Sequence, residues 1–366
     1  MPDVKVPDIK GQNDVHRVAS GIADAPQKRG KKATIVGAGI NGLVAANYLL
    51  RDGFDVTVLE RSPVVGGACS DTTVINKGSR YTFNKGATVL GYMQDFVWKE
   101  TGLQDRLRTY LPPPIYVCYF NGDESPYLFS DGIEKMQGWR GNGKDDFKGF
   151  AKDLERVKKF LIKGFREARV PTIKDANQEL GEEMVQLWIT GSGRALLDRY
   201  FTSNNAKRYF SYSLIENSVS EIDEPYSAFN IPLRESGSVF NGSWGFVSGG
   251  IANVTKELGR INADLGAKII TSARVTGFSQ ELMEISYEKN GLKEKVFADY
   301  VIFATEPLTA ARLCNEDGLL KEVYGKKFEG SSGKSVMFFK KISRYWLRPC
   351  ATTQGTGKTW LWSRGS

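Results

Sequence analysis

The chain has 366 residues, a formal net charge of +8, four cysteines and a single histidine, His16. One histidine argues against a Ser-His-Asp hydrolase, a histidine-ligated metal site and a histidine proton relay, so chemistry is expected from a cofactor and no metal is expected. The length exceeds the roughly 250–300 residues of a single core, which implies two lobes, and no apolar run nears the roughly 20 residues needed to span a bilayer.

Residues 1–31 carry Pro2, Pro7, Pro26 and the basic run from Lys28, with no apolar stretch that would mark a secretory signal. Asp3, Asp8, Asp14 and Asp24 argue against an organelle transit peptide, so a flexible tail is expected.

The apolar segment Lys32–Val36 then runs into Gly37-Ala38-Gly39-Ile40-Asn41-Gly42 and an alanine-rich helical stretch. This predicts a strand, a glycine turn and a helix. Gly37 permits the tight turn, Gly39 lets a pyrophosphate approach the backbone, and Gly42 lets the helix sit close to the strand. The amides of the loop and the positive end of the helix dipole would face the phosphates. A second strand, Val56–Leu59, ends in Glu60, eighteen residues after Gly42, where a carboxylate can accept hydrogen bonds from a ribose. A lone glycine motif is weak evidence. Strand, glycines, helix, strand and terminal acid in this order predict a dinucleotide site.

Arg61 follows, then Gly66-Gly67-Ala68-Cys69, a second bare stretch of backbone. Beyond Leu111-Pro112-Pro113-Pro114 the character changes. Residues 115–120 and 127–129, separated by Asn121-Gly122-Asp123, predict a hairpin. Phe147, Phe150, Leu154, Val157, Leu161 and Phe165 recur at helical spacing; the stripe suits a core-facing helix, with a membrane-resting face as the alternative. Residues 175–235 look helical and are rich in rings: Trp188, Tyr200, Phe201, Tyr209, Phe210, Tyr212, Tyr226 and Phe229. A substrate cavity and plain core packing both fit them. Asn241-Gly242-Ser243 and Asn253-Val254-Thr255 match glycosylation sequons and are read as chance. Gly355-Thr356-Gly357-Lys358-Thr359 lacks the first glycine of a phosphate loop and is rejected as one.

Cys69, Cys118, Cys314 and Cys350 form no C-x-x-C pair, which argues against a redox disulfide and fits a reducing, cytoplasmic setting. The basic residues are not gathered into one block, so no nucleic-acid partner is expected.

Several segments carry a family resemblance. Arg61 followed by Gly66-Gly67 resembles the extension found in FAD enzymes with the glutathione-reductase-like dinucleotide fold. Tyr81–Leu90, containing Gly86-Ala87-Thr88, resembles the phytoene desaturase segment in which a small-residue loop passes the flavin; that family often has aspartate where Asn84 stands. Gly245–Val254 resembles its Gly-Gly helix start, and the preceding Gly242–Phe246 is similar to the branch containing pyridine nucleotide-disulfide oxidoreductase domain-containing protein 2. Ala267–Val275 and Asp299–Pro307 resemble the strand that meets the adenine and the strand and turn that close the FAD domain.

The resemblance implies an α/β chain: a Rossmann-like FAD-binding domain of glutathione-reductase type with an interleaved α+β, helix-rich substrate domain. It implies a tail over 1–31, FAD-binding segments over 32–105 and 241–310, a substrate domain over 106–240 and a returning substrate segment over 311–366. The implied cofactor is FAD. The implied cofactor-binding residues are Gly37, Ala38, Gly39, Ile40, Asn41, Gly42, Glu60, Arg61, Gly66, Gly67, Ala68, Gly86, Ala87, Thr88, Val275, Ala304 and Thr305; no catalytic residue is named. The implied activity is dehydrogenation of a hydrophobic, polyene- or isoprenoid-like substrate by hydride transfer to flavin. An amine oxidase, a non-redox carotenoid isomerase-like enzyme and a non-catalytic nucleotide- or partner-binding remnant are the alternatives. Peripheral membrane contact and oligomeric state stay open.

The resemblance also implies a glycine-rich element near the C-terminus that completes the FAD site, and none follows Pro307. The chain thus resembles roughly the first two-thirds of a member. It is expected to hold FAD weakly or not at all; one flavin per chain surviving gel filtration would contradict this.

Overall fold

The computed structural model describes residues 30–111, 116–118, 127–129, 144–167, 169, 171–215, 221–316 and 318. Residues 1–29 of the N-terminal tail with His16, Cys350, the rejected phosphate loop and nearly all of the 311–366 segment beyond residue 316 lie outside the described residues. In chain order the elements begin with β1 (Lys32–Val36), α1 (Ile40–Arg51), β2 (Asp55–Leu59), β3 (Asp71–Asn76), β4 (Ser79–Asn84), α2 (Asp95–Glu100), β5 (Thr109–Tyr110), β6 (Tyr116–Cys118) and β7 (Tyr127–Phe129). The helices α3 (Phe147–Glu167), α4 (Ile173–Leu180), α5 (Glu182–Trp188), α6 (Gly193–Tyr200), α7 (Asn204–Ile215) and α8 (Asn230–Arg234) follow. The remainder comprises β8 (Phe246–Val247), α9 (Ala252–Asp264), β9 (Lys268–Ile270), β10 (Arg274–Ser279), β11 (Glu284–Lys289), β12 (Leu292–Phe297), β13 (Tyr300–Phe303) and α10 (Pro307–Leu313).

These elements form two compact units. The first holds the described residues up to Pro63 together with Gly259–Cys314; the second holds those of Val64–Leu258 and the few described residues from Asn315.

The first unit is built on a sheet of order β13-β1-β2-β9 in which every neighbouring pair is parallel. Strand β1 lies inside it, and Ala33, Thr34, Ile35 and Val36 are all buried. A continuous buried run, three of its four residues β-branched, is what a strand covered on both faces requires. Helix α1 carries β1 back to β2 and buries Leu43, Ala46 and Leu50 at helical spacing. The antiparallel meander β10-β11-β12 adds Ile285 and Tyr287 to a small core with Leu59, Ile270 and Ala273. Its second turn is Asn290-Gly291, both at positive φ (52° and 78°). That pair suits a two-residue turn whose twist matches the flanking strands.

In the second unit α3 to α8 surround an aromatic core. Phe150 is fully buried, with ring centroids of Phe210 at 4.6 Å, Trp188 and Phe201 at 5.1 Å and Tyr200 at 5.4 Å. Phe150, Leu154, Val157 and Leu161 are all buried, so the α3 stripe is a core face; Phe165 departs from it, 43% exposed beyond the core's edge. Of the ring-rich segment, Trp188, Tyr200, Phe201 and Phe210 pack against one another, which favours core packing over a cavity, while Tyr212 and Tyr226 are exposed. A cavity of about 370 Å³ beside α3 and α4 is lined mainly by charged groups, among them Lys163, Glu167, Arg169, Asp175 and Glu179, and is unsuited to a hydrophobic substrate. Thr172 and Asp175 close a capping box on α4. The Thr172 amide and hydroxyl, with Arg169, hold the Asp175 carboxyl down to about 2.

Strands β6 and β7 pair antiparallel, as the hairpin reading expects. Among the described residues no helix is long and apolar enough to cross a membrane.

Truncating Phe150 removes the ring at the centre of this core. Phe150→Ala should lower unfolding free energy by about 3–5 kcal/mol, read from the denaturant midpoint.

Candidate functional site

The parallel sheet sends its β1 strand into the turn Gly37–Gly42. The chain leaves β1 toward β2 on one side, while β13 lies on the other. In open α/β sheets, ligands bind outside the carboxyl ends of strands where the order reverses in this way.

The three glycines differ in what requires them. Gly37 has φ of 106°, and a Cβ there would lie 2.7 Å from the Ala304 carbonyl oxygen. A Cβ on Gly42 would lie 2.1 Å from the Gly37 carbonyl oxygen, since α1 starts directly against the turn. Both are demanded by the protein's own backbone. Gly39 is different: its φ is −73° and ψ 179°, and a Cβ added to it would meet no atom within 4 Å. Any residue could adopt that conformation, and the space in front of it is open.

Gly39 also caps α1 without a side-chain hydrogen bond, and no acidic residue stands in the first turn. The first helical bond runs from the Leu43 amide to the Gly39 carbonyl at 3.0 Å. The amides of Ile40, Asn41 and Gly42 therefore precede the hydrogen-bonded ladder, at a helix end that carries about half a positive charge. The α10 N-terminus contrasts with it, because the Glu306 carboxylate accepts from the amides of Leu308 and Thr309 there.

Glu60 is 7% exposed, and its carboxylate accepts from the Ala38 amide (Oε2, 2.8 Å) and the Ser62 amide (Oε1, 2.8 Å). Beside the ribose contact expected from spacing, Glu60 has a backbone role: it clamps the glycine turn to the end of β2. Each carboxylate oxygen retains a lone-pair direction for a hydroxyl. Ala273 donates its amide to the Glu60 carbonyl at 2.8 Å, and Val275 follows two residues later on β10, half-buried in the same small core. Arg61 is exposed. Ala304 donates to the Val36 carbonyl at 2.9 Å and, with Thr305, walls the Gly37 side of the turn.

One unit therefore gathers Gly37 to Gly42, Glu60, Arg61, Val275, Ala304 and Thr305. Gly66, Gly67, Ala68, Gly86, Ala87 and Thr88 belong to the other. Within that unit the Ala68 carbonyl accepts from the amides of Gly86 (3.1 Å) and Ala87 (2.9 Å). Gly66 and Gly67 have φ of 132° and 55°. A Cβ on Gly66 would meet the Thr255 hydroxyl oxygen at 2.9 Å, and one on Gly86 the Ala68 carbonyl oxygen at 2.8 Å. Internal packing alone accounts for glycine at these two positions. Thr88 is exposed. Asn84, in place of the family's frequent aspartate, donates to Asp71 at 2.8 Å. The positive φ of Gly249 and Gly250 (78° and 98°) turns the chain into α9.

Burial pushes the half-buried Cys69 thiol up, opposite to an activated thiolate. Among the described residues no group of three His, Cys, Asp or Glu side chains could hold a metal ion. Sequence reasoning missed two residues: Asn47 on α1 and Asn262 on α9 are fully buried and bonded to each other (2.9 Å). The signal was a lone asparagine inside the apolar stripe of α1.

The profile of the family described as flavin containing amine oxidoreductase matches residues 40–332. Phytoene desaturase of Fusarium fujikuroi is 25% identical over 262 residues, covering 68% of this chain and 45% of that protein. The Neurospora crassa phytoene desaturase is 25% identical over 356 residues, covering 88% and 55%. Pyridine nucleotide-disulfide oxidoreductase domain-containing protein 2 of Rattus norvegicus is 25% identical over 295 residues, covering 71% and 50%. The chain spans about half the length of these relatives. A crystal structure of a Pyrococcus furiosus protein superposes with a TM-score of 0.52 at 20% identity, over 81% of this chain and 65% of that one, a likeness of fold. An open Gly39, a side-chain-free helix start and a buried acid at the end of β2 fit the adenosine and pyrophosphate of FAD. With the profile match, these observations place the chain in the flavin-containing amine oxidoreductase family of FAD-dependent oxidoreductases.

Proposed function

We propose that the Gly37–Gly42 turn binds the pyrophosphate of FAD in an oxidoreductase of the phytoene desaturase-like class, acting on a hydrophobic, polyene- or isoprenoid-like substrate. The observation that carries this reading is Gly39, a glycine that neither its backbone conformation nor its neighbours require. A bare backbone facing open space at an uncapped helix start suits a close-lying anion. The relatives named phytoene desaturase supply the substrate class. The family's description favours a second reading, oxidation of an amine.

FAD, when bound, supplies the acceptor for a hydride equivalent. The chain's own residues hold and orient it. In this reading the amides of Ile40, Asn41 and Gly42 face the phosphates, Glu60 holds the Ala38 amide and faces the adenosine ribose, and Val275 meets the adenine. Arg61, Gly66, Gly67, Ala68, Gly86, Ala87 and Thr88 are assigned to the pyrophosphate and flavin edge on the family resemblance, and Ala304 and Thr305 to the wall of the turn. The parallel sheet is the core of a dinucleotide fold of glutathione-reductase type; residues 32–105 and 241–310 supply cofactor contacts, and 106–240 and 311–366 the substrate side. We assign no catalytic acid or base.

Two glycine substitutions test the reading. Gly39→Val should leave thermal unfolding close to the parent's while weakening FAD in an equilibrium fluorescence titration by about 100-fold or more, as loss of two charge-assisted bonds implies. Gly42→Ala should destabilise the protein itself, because its Cβ collides with the Gly37 carbonyl. Equal FAD affinity in parent and Gly39→Val would refute the proposed site.

A further inference from the structure

We infer that Asn262 is a positioning residue for the dinucleotide turn, acting through the carbonyl of Leu43. The inference rests on the cofactor role proposed for Gly37–Gly42. Asn262 lies on the part of α9 that belongs to the first unit and is fully buried. Its Nδ2 donates to the Leu43 carbonyl at 2.8 Å, and its Oδ1 accepts from Asn47 Nδ2 at 2.9 Å. Asn47, also fully buried, accepts in turn from Arg51 Nε at 2.8 Å through Oδ1.

This chain of hydrogen bonds ends on the residue that closes the first turn of the helix. Leu43 makes the first helical bond, from its amide to the Gly39 carbonyl. In an α-helix the Leu43 carbonyl already receives the amide four residues on, so the Asn262 bond uses its second lone pair. Two directions are then imposed on one peptide unit, and the roll of the first turn of α1 is set. That roll decides where the amides of Ile40, Asn41 and Gly42 point. Burying a carboxamide is unfavourable unless its hydrogen bonds are made, and here Asn262 bonds Leu43 and Asn47 on a helix 219 and 215 residues away in sequence.

The test uses the full chain with Asn262→Asp, which keeps the shape but sets an acceptor against the Leu43 carbonyl. Asn262→Ala, which deletes the donor without adding charge, decides the question if the aspartate variant does not fold. Amide exchange without ligand should quicken roughly tenfold at Leu43, the first bonded amide of α1, while the β11 and β12 amides keep their parental rates. FAD affinity should fall by a similar factor. Unchanged exchange at Leu43, or uniform quickening across the unit, would overturn the inference. Should the parent chain hold too little FAD to titrate, as the resemblance leads one to expect, the exchange pattern alone decides the role of Asn262.

Discussion

The approach of α1 to the end of β1 is the constraint on which the rest of the first unit depends. A Cβ on Gly42 would stand 2.1 Å from the Gly37 carbonyl oxygen, so the helix can begin there only without a side chain. Starting the helix that close aims its first amides past the sheet's carboxyl edge. Ala304 can lie against the turn because Gly37 has no side chain either. The Glu60 carboxylate then binds the turn to β2 through Ala38 and the chain beyond it through Ser62. Sheet order, glycine spacing and acid placement are thus three consequences of one packing geometry.

The geometry sorts the glycines by cause. Gly37, Gly42, Gly66 and Gly86 are each explained by a backbone or side-chain atom that a Cβ would meet. Gly39 has no such explanation inside the protein. A glycine motif therefore mixes fold requirements with ligand requirements, and only the second kind says anything about function. The FAD assignment rests on that one open position, on an uncapped helix start and on family membership across residues 40–332.

Much of this was legible in the sequence where a local rule governs a residue. The turn at Gly37, the helix after Gly39 and the strand ending in Glu60 follow from steric limits a few residues wide. The α3 stripe was legible because helical spacing repeats, yet its outer end at Phe165 was not, since periodicity does not tell where the core stops. Whether Trp188, Tyr200, Phe201 and Phe210 formed a cavity or a core depended on neighbours brought in from several helices. The first partners of Glu60 were hidden for the same reason: a carboxylate takes whichever donors the fold brings within reach. Gly66 carried a cofactor expectation from its pairing with Gly67, and the structure supplies a packing reason through Thr255. The Asn262 bond to Leu43 joins residues 219 apart, and no local rule could connect them.

The central claim is that the helix start from Ile40 to Gly42 receives the phosphates at the adenosine end of the cofactor. Amide exchange of that segment, followed with saturating ADP and separately with FMN, tests it most directly. The account predicts slowed exchange at Ile40–Gly42 with ADP and no change there with FMN. Slowing by FMN alone, or FAD binding that leaves these amides at their free rates, would contradict it.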